Sequence, residues 1–369
     1  MKPLSLSYII YNLSFFIIVV LSSCDNKDHK IDSLIPVVSS SGTYVLCSGD
    51  GQSSGTITYI GHSDATPSQA IFRQRNGRDL GTDVCDGLIY GDKMYVVVKG
   101  ENRVEVINRK TRESLRQLNI VELMDAERGT APHSIVAANG IIYVATGSCV
   151  AAIDTASFKL SHVYAQGTCP VAIAVAKGML YVCNAGDGNE VKPSVESINL
   201  AIDSTITTTT SLLSSPSAIA VAWPHVFVLD QGSTNVTPGV RRLASNGTIT
   251  TTTNTNLKPQ NTSLKSKTMC IGGTKMYLCG ISTSGTAVCD VYDLQTGTRS
   301  TFATDLVGTP CLVGADPVTE HVFVATQQAD SQNATVTEYN ARGTKLNTYE
   351  TGINPKAFVF DVGIKYEEY

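Results

Sequence analysis

An internal repeat constrains the fold of this chain more than any other feature of its sequence. Six segments share one pattern: an apolar strand, a tight turn, and a second apolar strand with an aromatic residue near its start. The segments are residues 88–98, 135–145, 173–183, 219–229, 270–279 and 313–325. The pattern recurs about every 46 residues, which is a spacing typical of the blades of a β-propeller.

Two further strand-like stretches follow each pair, a third strand that alternates apolar and polar residues and a fourth that is more polar. Four antiparallel strands per repeat are the content of one propeller blade. Six complete repeats occupy residues 83–351. The threonine tracts at 207–210 and 250–253 fall in predicted fourth strands, because threonine favours strands and tolerates water. Only residues 121–127 predict a turn of helix.

The two ends of the chain supply the strands of a seventh blade. Residues 356–361 predict an innermost strand, and residues 43–47, 55–60 and 68–74 predict the second, third and fourth strands. A blade shared by both ends hydrogen-bonds the ring closed and leaves no exposed edge. The sequence therefore predicts an all-β fold, a seven-bladed β-propeller of four-stranded antiparallel blades in which the N- and C-terminal strands share one blade.

The first residues differ in character from the rest of the chain. Lys2 precedes an apolar run at residues 8–21 that is short for a membrane span and is flanked like a signal peptide. The sequence Leu-Ser-Ser-Cys ending at Cys24 resembles a bacterial lipobox, which implies cleavage before Cys24 and lipidation of its sulfur. An ordinary secretory signal with an incidental cysteine is the alternative.

We therefore expect a lipoprotein signal peptide at residues 1–23, a polar tether at 24–41 and a single propeller domain at 42–369. The expected location is the outer membrane, with the lipid on Cys24 as the membrane contact. Acidic residues just after Cys24 resemble a surface-export signal of Bacteroidetes lipoproteins. The cell surface and the periplasmic face both remain open at this point.

Charge and cysteine content exclude some functions. The net charge is −4 with no basic stripe, so we expect no nucleic-acid partner. Of the ten cysteines, nine follow Cys24, and no C-x-x-C metal pattern occurs. Most are interpreted as small buried apolar residues. Cys279 and Cys289 flank a turn near Ser284 at equal spacing, so a strained cross-strand disulfide is the alternative for this pair.

One blade carries a family resemblance. Residues 79–111, DLGTDVCDGLIYGDKMYVVVKGENRVEVINRKT, resemble the YncE-like propeller lipoproteins of gut Bacteroidetes, the group that carries the domain of unknown function 5074. The resemblance spans about residues 42–363 and implies the fold and an envelope location. A relative in this group captures vitamin B12 for a TonB-dependent outer-membrane transporter, so the resemblance also implies a corrinoid ligand and such a transporter as partner. No residue here matches a known corrinoid contact.

In a propeller, the loops between second and third strands share one face with the loops that lead into the next blade, and ligands usually bind there. These loops are rich in amides, hydroxyls and charges, which suit a small polar ligand. The candidate ligand-binding residues are Asp50, Gln52, Lys99, Asn102, Arg103, His133, Asn184, Asp187, Asn189, Asp230, Gln231, Gln327, Gln328 and Lys356.

Catalytic signals are missing from the sequence. No phosphate-binding loop and no H-E-x-x-H motif occurs. His62, His225 and His321 fall on the opposite face, and only His133 lies near the predicted binding mouth. We therefore expect no catalytic residue, metal or cofactor, and favour a non-enzymatic capture protein. An adhesion or scaffold module that binds protein or glycan is the second hypothesis, and a propeller hydrolase or lyase using mouth carboxylates such as Asp83 and Asp86 is the third.

Overall fold

The computed structural model describes residues 35–62, 64, 66–165, 169–186, 188, 190, 192–209, 213–234, 238–244, 265–282, 284–328 and 332–367. The predicted signal peptide, Cys24 and most of the predicted tether lie outside these residues. The chain divides into a compact body, Val38–Ile364, and a second unit made of the two ends, Met1–Val37 and Lys365–Tyr369. None of the described helices has the length and apolar character needed to cross a membrane.

Strands make up almost all of the regular secondary structure in the described residues. In chain order they are β1 (Ile35–Cys47), β2 (Thr56–Gly61), β3 (Val84–Tyr90), β4 (Lys93–Val98), β5 (Arg103–Asn108), β6 (Ser114–Asn119), β7 (Ser134–Ala138), β8 (Ile141–Ala145), β9 (Val150–Asp154), β10 (Leu160–Tyr164), β11 (Pro170–Ala176), β12 (Met179–Asn184), β13 (Ser194–Asn199), β14 (Ser204–Thr209), β15 (Pro216–Ala222), β16 (His225–Asp230), β17 (Gly239–Ala244), β18 (Lys265–Gly272), β19 (Lys275–Ile281), β20 (Ala287–Asp293), β21 (Arg299–Ala303), β22 (Thr309–Ala315), β23 (Val322–Gln327), β24 (Thr335–Tyr339), β25 (Lys345–Glu350) and β26 (Pro355–Glu367). The helices are α1 (Ile71–Asn76), α2 (Ile120–Leu123) and a 3-10 turn, Lys99–Glu101.

The strands form seven antiparallel sheets, which confirms the predicted propeller. Blade 1 contains β3–β6, blade 2 β7–β10, blade 3 β11–β14, blade 4 β15–β17, blade 5 β18–β21, blade 6 β22–β25, and blade 7 β26, β1 and β2. The predicted fourth strand of blade 4, which includes the tract at 250–253, lies outside the described residues. The other threonine tract contributes Thr207–Thr209 to β14, as predicted.

Burial follows the position of each strand within its blade. In β4 every residue after Lys93 is buried, whereas in the outermost strand β25 only Tyr349 is buried. Inner strands are apolar on both sides because each blade face packs against a neighbour. Within the described residues, an apolar cluster fills the space between each pair of neighbouring blades, including blades 6 and 7 and blades 7 and 1.

Blade 7 closes the ring with strands from both ends of the chain. β26 pairs with β1, and β1 pairs with β2 in the order β2-β1-β26. Arg109, which follows β5 of blade 1, contacts β26 through its guanidinium. Its Nε donates to Asp361 Oδ1 at 2.6 Å and its Nη2 donates to Val362 O at 2.5 Å. The final strand, β26, is therefore hydrogen-bonded to blade 1 as well as to β1.

The predicted fourth strand of blade 7, residues 68–74, is wrong. Ser68 makes a single bridge with Tyr59, and the chain then forms α1. Ile71 and Phe72 are buried by this helix, whereas Arg73, Gln74 and Arg75 are exposed. Gly77, at φ +64°, caps the helix through its N–H to Arg73 O. A short amphipathic sequence with a glycine cap therefore covers the edge of β2 in place of a strand.

Side chains near the start of two innermost strands link neighbouring blades. Asp86 of β3 accepts hydrogen bonds from Ile135 N at 3.0 Å and from Ser134 Oγ at 3.2 Å, both in blade 2. At the equivalent place in blade 5, Thr268 Oγ1 accepts from Val313 N of blade 6 at 3.1 Å. These contacts satisfy backbone N–H groups on the wall of the channel.

Candidate binding site over blades 6, 7 and 1

The loops predicted to share one face do meet there. In blades 7, 1, 3 and 4 the residue after the second strand donates its N–H to the loop that leads into the same blade. Ser48 N donates to Asn354 O at 3.0 Å in blade 7, and Lys99 N donates to Asp83 O at 3.1 Å in blade 1. This repeated bond holds the loops on a rigid frame, as is usual for binding loops on a scaffold.

A cavity of about 580 Å³ opens on this face, and we call it the mouth cavity. Its volume lies in the range of small-molecule sites. It lies over three consecutive blades, because its lining comes from loops of blades 6, 7 and 1. The lining residues are Ser48, Gly49, Asp50, Gly51, Thr82, Asp83, Gly100, Gln327 and Asn354.

Two carboxylates in the mouth cavity are held by their own neighbours. Asp50 Oδ1 accepts from Ser53 N and from Ser53 Oγ, each at 2.7 Å. These bonds, together with the bond from Gln52 N, lower the pKa of Asp50 to about 2, so its side chain is an anion at neutral pH. Asp83 faces Lys99 Nζ at 3.2 Å and accepts from Ser48 Oγ at 3.3 Å. The cavity thus presents one fixed anion and one ion pair.

Glycines leave the rest of the mouth cavity open. Gly49 and Gly51 have φ of +82° and +86°, a conformation that other residues adopt only with strain. The backbone N–H and C=O groups of this loop are therefore close to any ligand. With Thr82 Oγ1 and the amides of Gln327 and Asn354, they offer neutral donors and acceptors around the two charged sites.

The structure brings together some of the predicted residues and separates others. Asp50 and Gln327 line the mouth cavity, and Lys99 reaches its edge through Asp83. Gln52 is exposed on the same loop as Asp50, and Gln328 is exposed next to Gln327. Gln327 Oε1 accepts from Asn354 N at 3.0 Å, so its amide also fixes the entry to blade 7.

Asn184 and Asp230 are fully buried and order the loops of their own blades. Asn184 Nδ2 donates to Ser194 Oγ and Glu196 Oε1, each at 3.0 Å. Asp230 accepts from the backbone N–H groups of Ser214, Ser215 and Gly232 at 2.9–3.0 Å. Their predicted contact with a ligand remains a prediction. In this structure their buried side chains hold the loops in place through these hydrogen bonds.

Three predicted residues between blades 1 and 2 also make contacts within the protein. Asn102 Oδ1 accepts from Ala131 N at 2.8 Å, and Arg103 Nη2 donates to Leu80 O at 2.5 Å. His133 Nδ1 lies 2.9 Å from Ala131 O. Over blade 4, Gln231 Nε2 donates to Ser217 Oγ at 3.0 Å. Asp187 and Asn189 lie outside the described residues.

Lys356 lines a second cavity of about 280 Å³, in the central channel. The wall is largely apolar and includes Phe358 and Phe360 of β26 and Leu312 of β22. Asp86 also lines this cavity, and burial raises the pKa of its carboxyl to about 6 in spite of the hydrogen bonds it accepts. The channel is therefore a different environment from the polar mouth cavity.

His62 and His321 come together on the opposite face, at the contact of blades 6 and 7. Their ring centroids are 6.5 Å apart. His62 Nε2 lies 2.8 Å from Ser40 Oγ and 3.3 Å from Asp316 Oδ2, and Ser40 Oγ donates to the same carboxylate oxygen. Serine and aspartate contact one nitrogen of the ring, whereas a catalytic triad needs them on opposite nitrogens. Among the described residues, no three His, Cys, Asp or Glu side chains are placed to hold a metal.

Sequence reasoning missed Thr82 and Gly100 as lining residues and named Asp83 only as a mouth carboxylate. Gly100 lies in the same short loop as the predicted Lys99, but a glycine has no polar side chain that would mark it as a ligand contact. The sequence did carry a signal for these residues. They lie just before β3 and just after β4, in the blade next to blade 7, where the two chain ends meet.

Comparisons with solved structures support the fold. The quinonprotein alcohol dehydrogenase-like protein from Bacteroides thetaiotaomicron has a TM-score of 0.63 at 15% identity, with 87% of this chain and 78% of that chain covered. Hydrazine synthase of Kuenenia stuttgartiensis has a TM-score of 0.59 at 10% identity, with 79% and 98% covered. The WD40 domain of Neurospora crassa Pan2 has a TM-score of 0.53 at 8% identity, with 74% and 80% covered.

No curated protein matches the sequence. At these identities the structural neighbours share the fold alone, and their activities do not transfer to this chain. The sequence itself matches the family described as domain of unknown function (DUF5074) over residues 41–361. Because this match covers most of the chain, the protein belongs to the DUF5074 family.

Proposed function

We propose that this propeller is a non-enzymatic binding module that captures a small polar molecule in the mouth cavity. The observation that carries the proposal is the cavity itself, a pre-formed space of about 580 Å³ lined by hydroxyls, amides, glycine backbone and one ion pair. The cavity has the size of a small-molecule site, and its fixed polar groups can set the orientation of a ligand. The locked carboxylate of Asp50 favours binding over proton transfer, because a group with a pKa of about 2 is a weak base at neutral pH.

The proposed setting is the bacterial envelope, with lipid on Cys24 as the anchor and a TonB-dependent transporter as the receiving partner. The lipobox-like sequence and the family resemblance support this setting. A corrinoid is the ligand that the resemblance suggests, and it is therefore the first molecule to test.

Calorimetry on the purified mature chain tests the binding proposal. Cyanocobalamin and cobinamide are titrated alongside unrelated polar molecules of similar size. Asp83→Asn removes the charge that faces Lys99 in the mouth cavity. We expect this change to weaken binding about tenfold, since a hydrogen bond to a charged group contributes about 1.5 kcal/mol or more.

Asp92→Asn is the matched control, because Asp92 is an exposed carboxylate beside Lys93 in the turn between β3 and β4, at the other end of blade 1. It should leave the dissociation constant unchanged. Heat from neither corrinoid at micromolar protein removes the corrinoid version of the proposal. Equal weakening by both substitutions places the ligand outside the mouth cavity.

A separate experiment tests the anchor. Cells that express the wild-type chain or Cys24→Ser are labelled with a palmitate analogue and fractionated. We expect label on the wild type in the outer-membrane fraction and none on Cys24→Ser. Equal labelling of both chains would contradict lipidation at Cys24.

A further inference from the structure

Two buried thiols of blade 5 lie directly opposite each other. Cys279 of β19 and Cys289 of β20 are partners in the antiparallel register, and both side chains are fully buried. The two side chains are hydrogen-bonded to each other, and burial is the main reason that the pKa of Cys279 lies well above its usual range. Both residues belong to the apolar cluster between blades 5 and 6.

The type of this pair follows from the hydrogen bonds at the hairpin turn. Along an antiparallel ladder, hydrogen-bonded and non-hydrogen-bonded pairs alternate. Ser282 N donates to Thr286 O at 2.9 Å, so these residues form a hydrogen-bonded pair. Counted from Ser282 and Thr286, Cys279 and Cys289 each lie an odd number of positions along the ladder. Because the two types of pair alternate, Cys279 and Cys289 form a non-hydrogen-bonded pair.

The far end of the same hairpin gives an independent check. Leu294 N donates to Thr274 O at 2.8 Å, which marks another hydrogen-bonded pair. Counting back from it also reaches the cysteines after an odd number of positions. In non-hydrogen-bonded pairs the Cα atoms are about 4.5 Å apart and the side chains are at their closest. That separation is at the short end of the range that a disulfide can bridge, about 4.4–6.8 Å.

We propose that Cys279 and Cys289 are a disulfide site, oxidised while the chain folds in an oxidising compartment. Two S–H bonds of the protein and one S–S bond of an oxidant break, one S–S bond forms in the protein, and the two protons end on the two thiols of the reduced oxidant. The two electrons reduce the disulfide of the oxidant. This oxidant is oxidised glutathione in vitro and a thiol–disulfide oxidoreductase in the cell. In the cell the bond rests on the proposed envelope location.

The burial of the two sulfurs determines when the disulfide can form during folding. Because both sulfurs are covered by the contact between blades 5 and 6, an oxidant reaches them only before those blades pack. A chain that has already folded with reduced thiols therefore stays reduced when oxidised glutathione is added. A chain refolded from denaturant in a glutathione redox buffer acquires the bond.

Cys270 is the competing partner. It lies in β18, packs against the same cluster and lines the channel cavity. Its register partner is Tyr277, so it does not face either of the other two thiols across a ladder. Cys270→Ser is therefore the matched control, a loss of one neighbouring thiol that leaves the proposed pair intact.

The test is a count of alkylated thiols in the denatured chain, with peptide mapping by mass spectrometry. Refolding in the redox buffer should lower the count for the nine cysteines that follow Cys24 by two, with one linked peptide joining Cys279 and Cys289. Cys270→Ser keeps that link, and Cys279→Ser and Cys289→Ser each abolish it. Full alkylation of both residues after oxidative refolding, or a link from either to Cys270, overturns the proposal.

The wild-type refolding result stands even if a variant fails to fold. Trapping the thiols in intact cells then addresses the compartment separately. A disulfide that forms in vitro but not in the cell counts against the envelope location. It still establishes the pairing of Cys279 with Cys289.

Discussion

Asp361→Ala tests how much of the stability of the ring depends on fastening the last strand to blade 1. The carboxylate accepts from Arg109 Nε at 2.6 Å, and the two side chains are only 15% and 20% exposed. A hydrogen bond between charged groups contributes about 1.5–3 kcal/mol when little solvent competes. Removing Asp361 also leaves the partly buried guanidinium with its bond to Val362 O as its one remaining hydrogen bond to a described residue. We expect a loss of about 2 kcal/mol.

The loss converts to a melting shift through the entropy of unfolding. For a body of about 330 residues that entropy is about 0.7 kcal/mol per kelvin, so 2 kcal/mol lowers the Tm by about 3 °C. Differential scanning calorimetry of the purified chain measures it. Asp79→Ala is the control, because Asp79 pairs with Arg73 at 2.9 Å with both side chains more than half exposed. Such pairs contribute about 0–1 kcal/mol, so its Tm should fall by at most about 1 °C.

A double variant separates the two causes of the loss. Replacing both partners, Arg109→Met with Asp361→Leu, removes the unpaired charge and should recover part of the Tm. Equal shifts for Asp361→Ala and Asp79→Ala would refute the argument, because burial would then make no difference. A double variant as unstable as the single one would show that the loss comes from packing and not from the guanidinium.

Three further predictions concern the channel, a close contact and a buried thiol. Burial raises the pKa of Asp86 to about 6, so its contribution to stability is present below its usual pKa and is lost as the pH rises through about 6. In urea titrations at a series of pH values, the wild type should therefore lose up to about 3 kcal/mol relative to Asp86→Asn between pH 4 and 7, and parallel curves would contradict this. Gly55→Ala should destabilise by about 1–3 kcal/mol in the same assay, because a Cβ would overlap Val84 Cγ2 and lie 2.6 Å from Cys47 O. Gly147→Ala, whose Cβ would have its nearest neighbour at 3.5 Å, should stay within about 0.5 kcal/mol, and equal effects would disprove the steric argument. Burial raises the pKa of Cys183 to about 12, so an aromatic disulfide reagent at pH 8 should modify it only after unfolding, and rapid reaction in the native protein would contradict its burial.

The repeat predicted the fold because every blade buries the same apolar positions against its neighbours. The aromatic residue near the start of each second strand, such as Tyr95 or Tyr181, is buried in the structure. The pattern failed at residues 68–74, which lie before the first complete repeat. There Ile71 and Phe72 satisfy a strand or a short helix equally well, and the cap at Gly77 decides for the helix.

The candidate site was only partly predictable, for a different physical reason. Loop polarity identified Asp50, Lys99 and Gln327, but polarity is common to all the loops on that face. What distinguishes the mouth cavity is space, and that space depends on small residues such as Gly100 and Thr82 that carry no strong chemical signal. It also depends on which loops become neighbours, and this follows from the closure of the ring rather than from any local sequence.

Under the proposed function, closure of the ring and ligand binding are coupled in this protein. The mouth cavity takes residues 48–51 from the start of the propeller and Asn354 from its end, so a ligand there contacts both halves of blade 7. A ligand at a hundred times its dissociation constant stabilises the folded state by about 2.7 kcal/mol. That is as large as the expected loss in Asp361→Ala, so a true ligand should return the melting temperature of this variant to about that of the unliganded wild type. A molecule that binds by calorimetry but leaves the variant's melting temperature unchanged would show that it does not bind the closed ring.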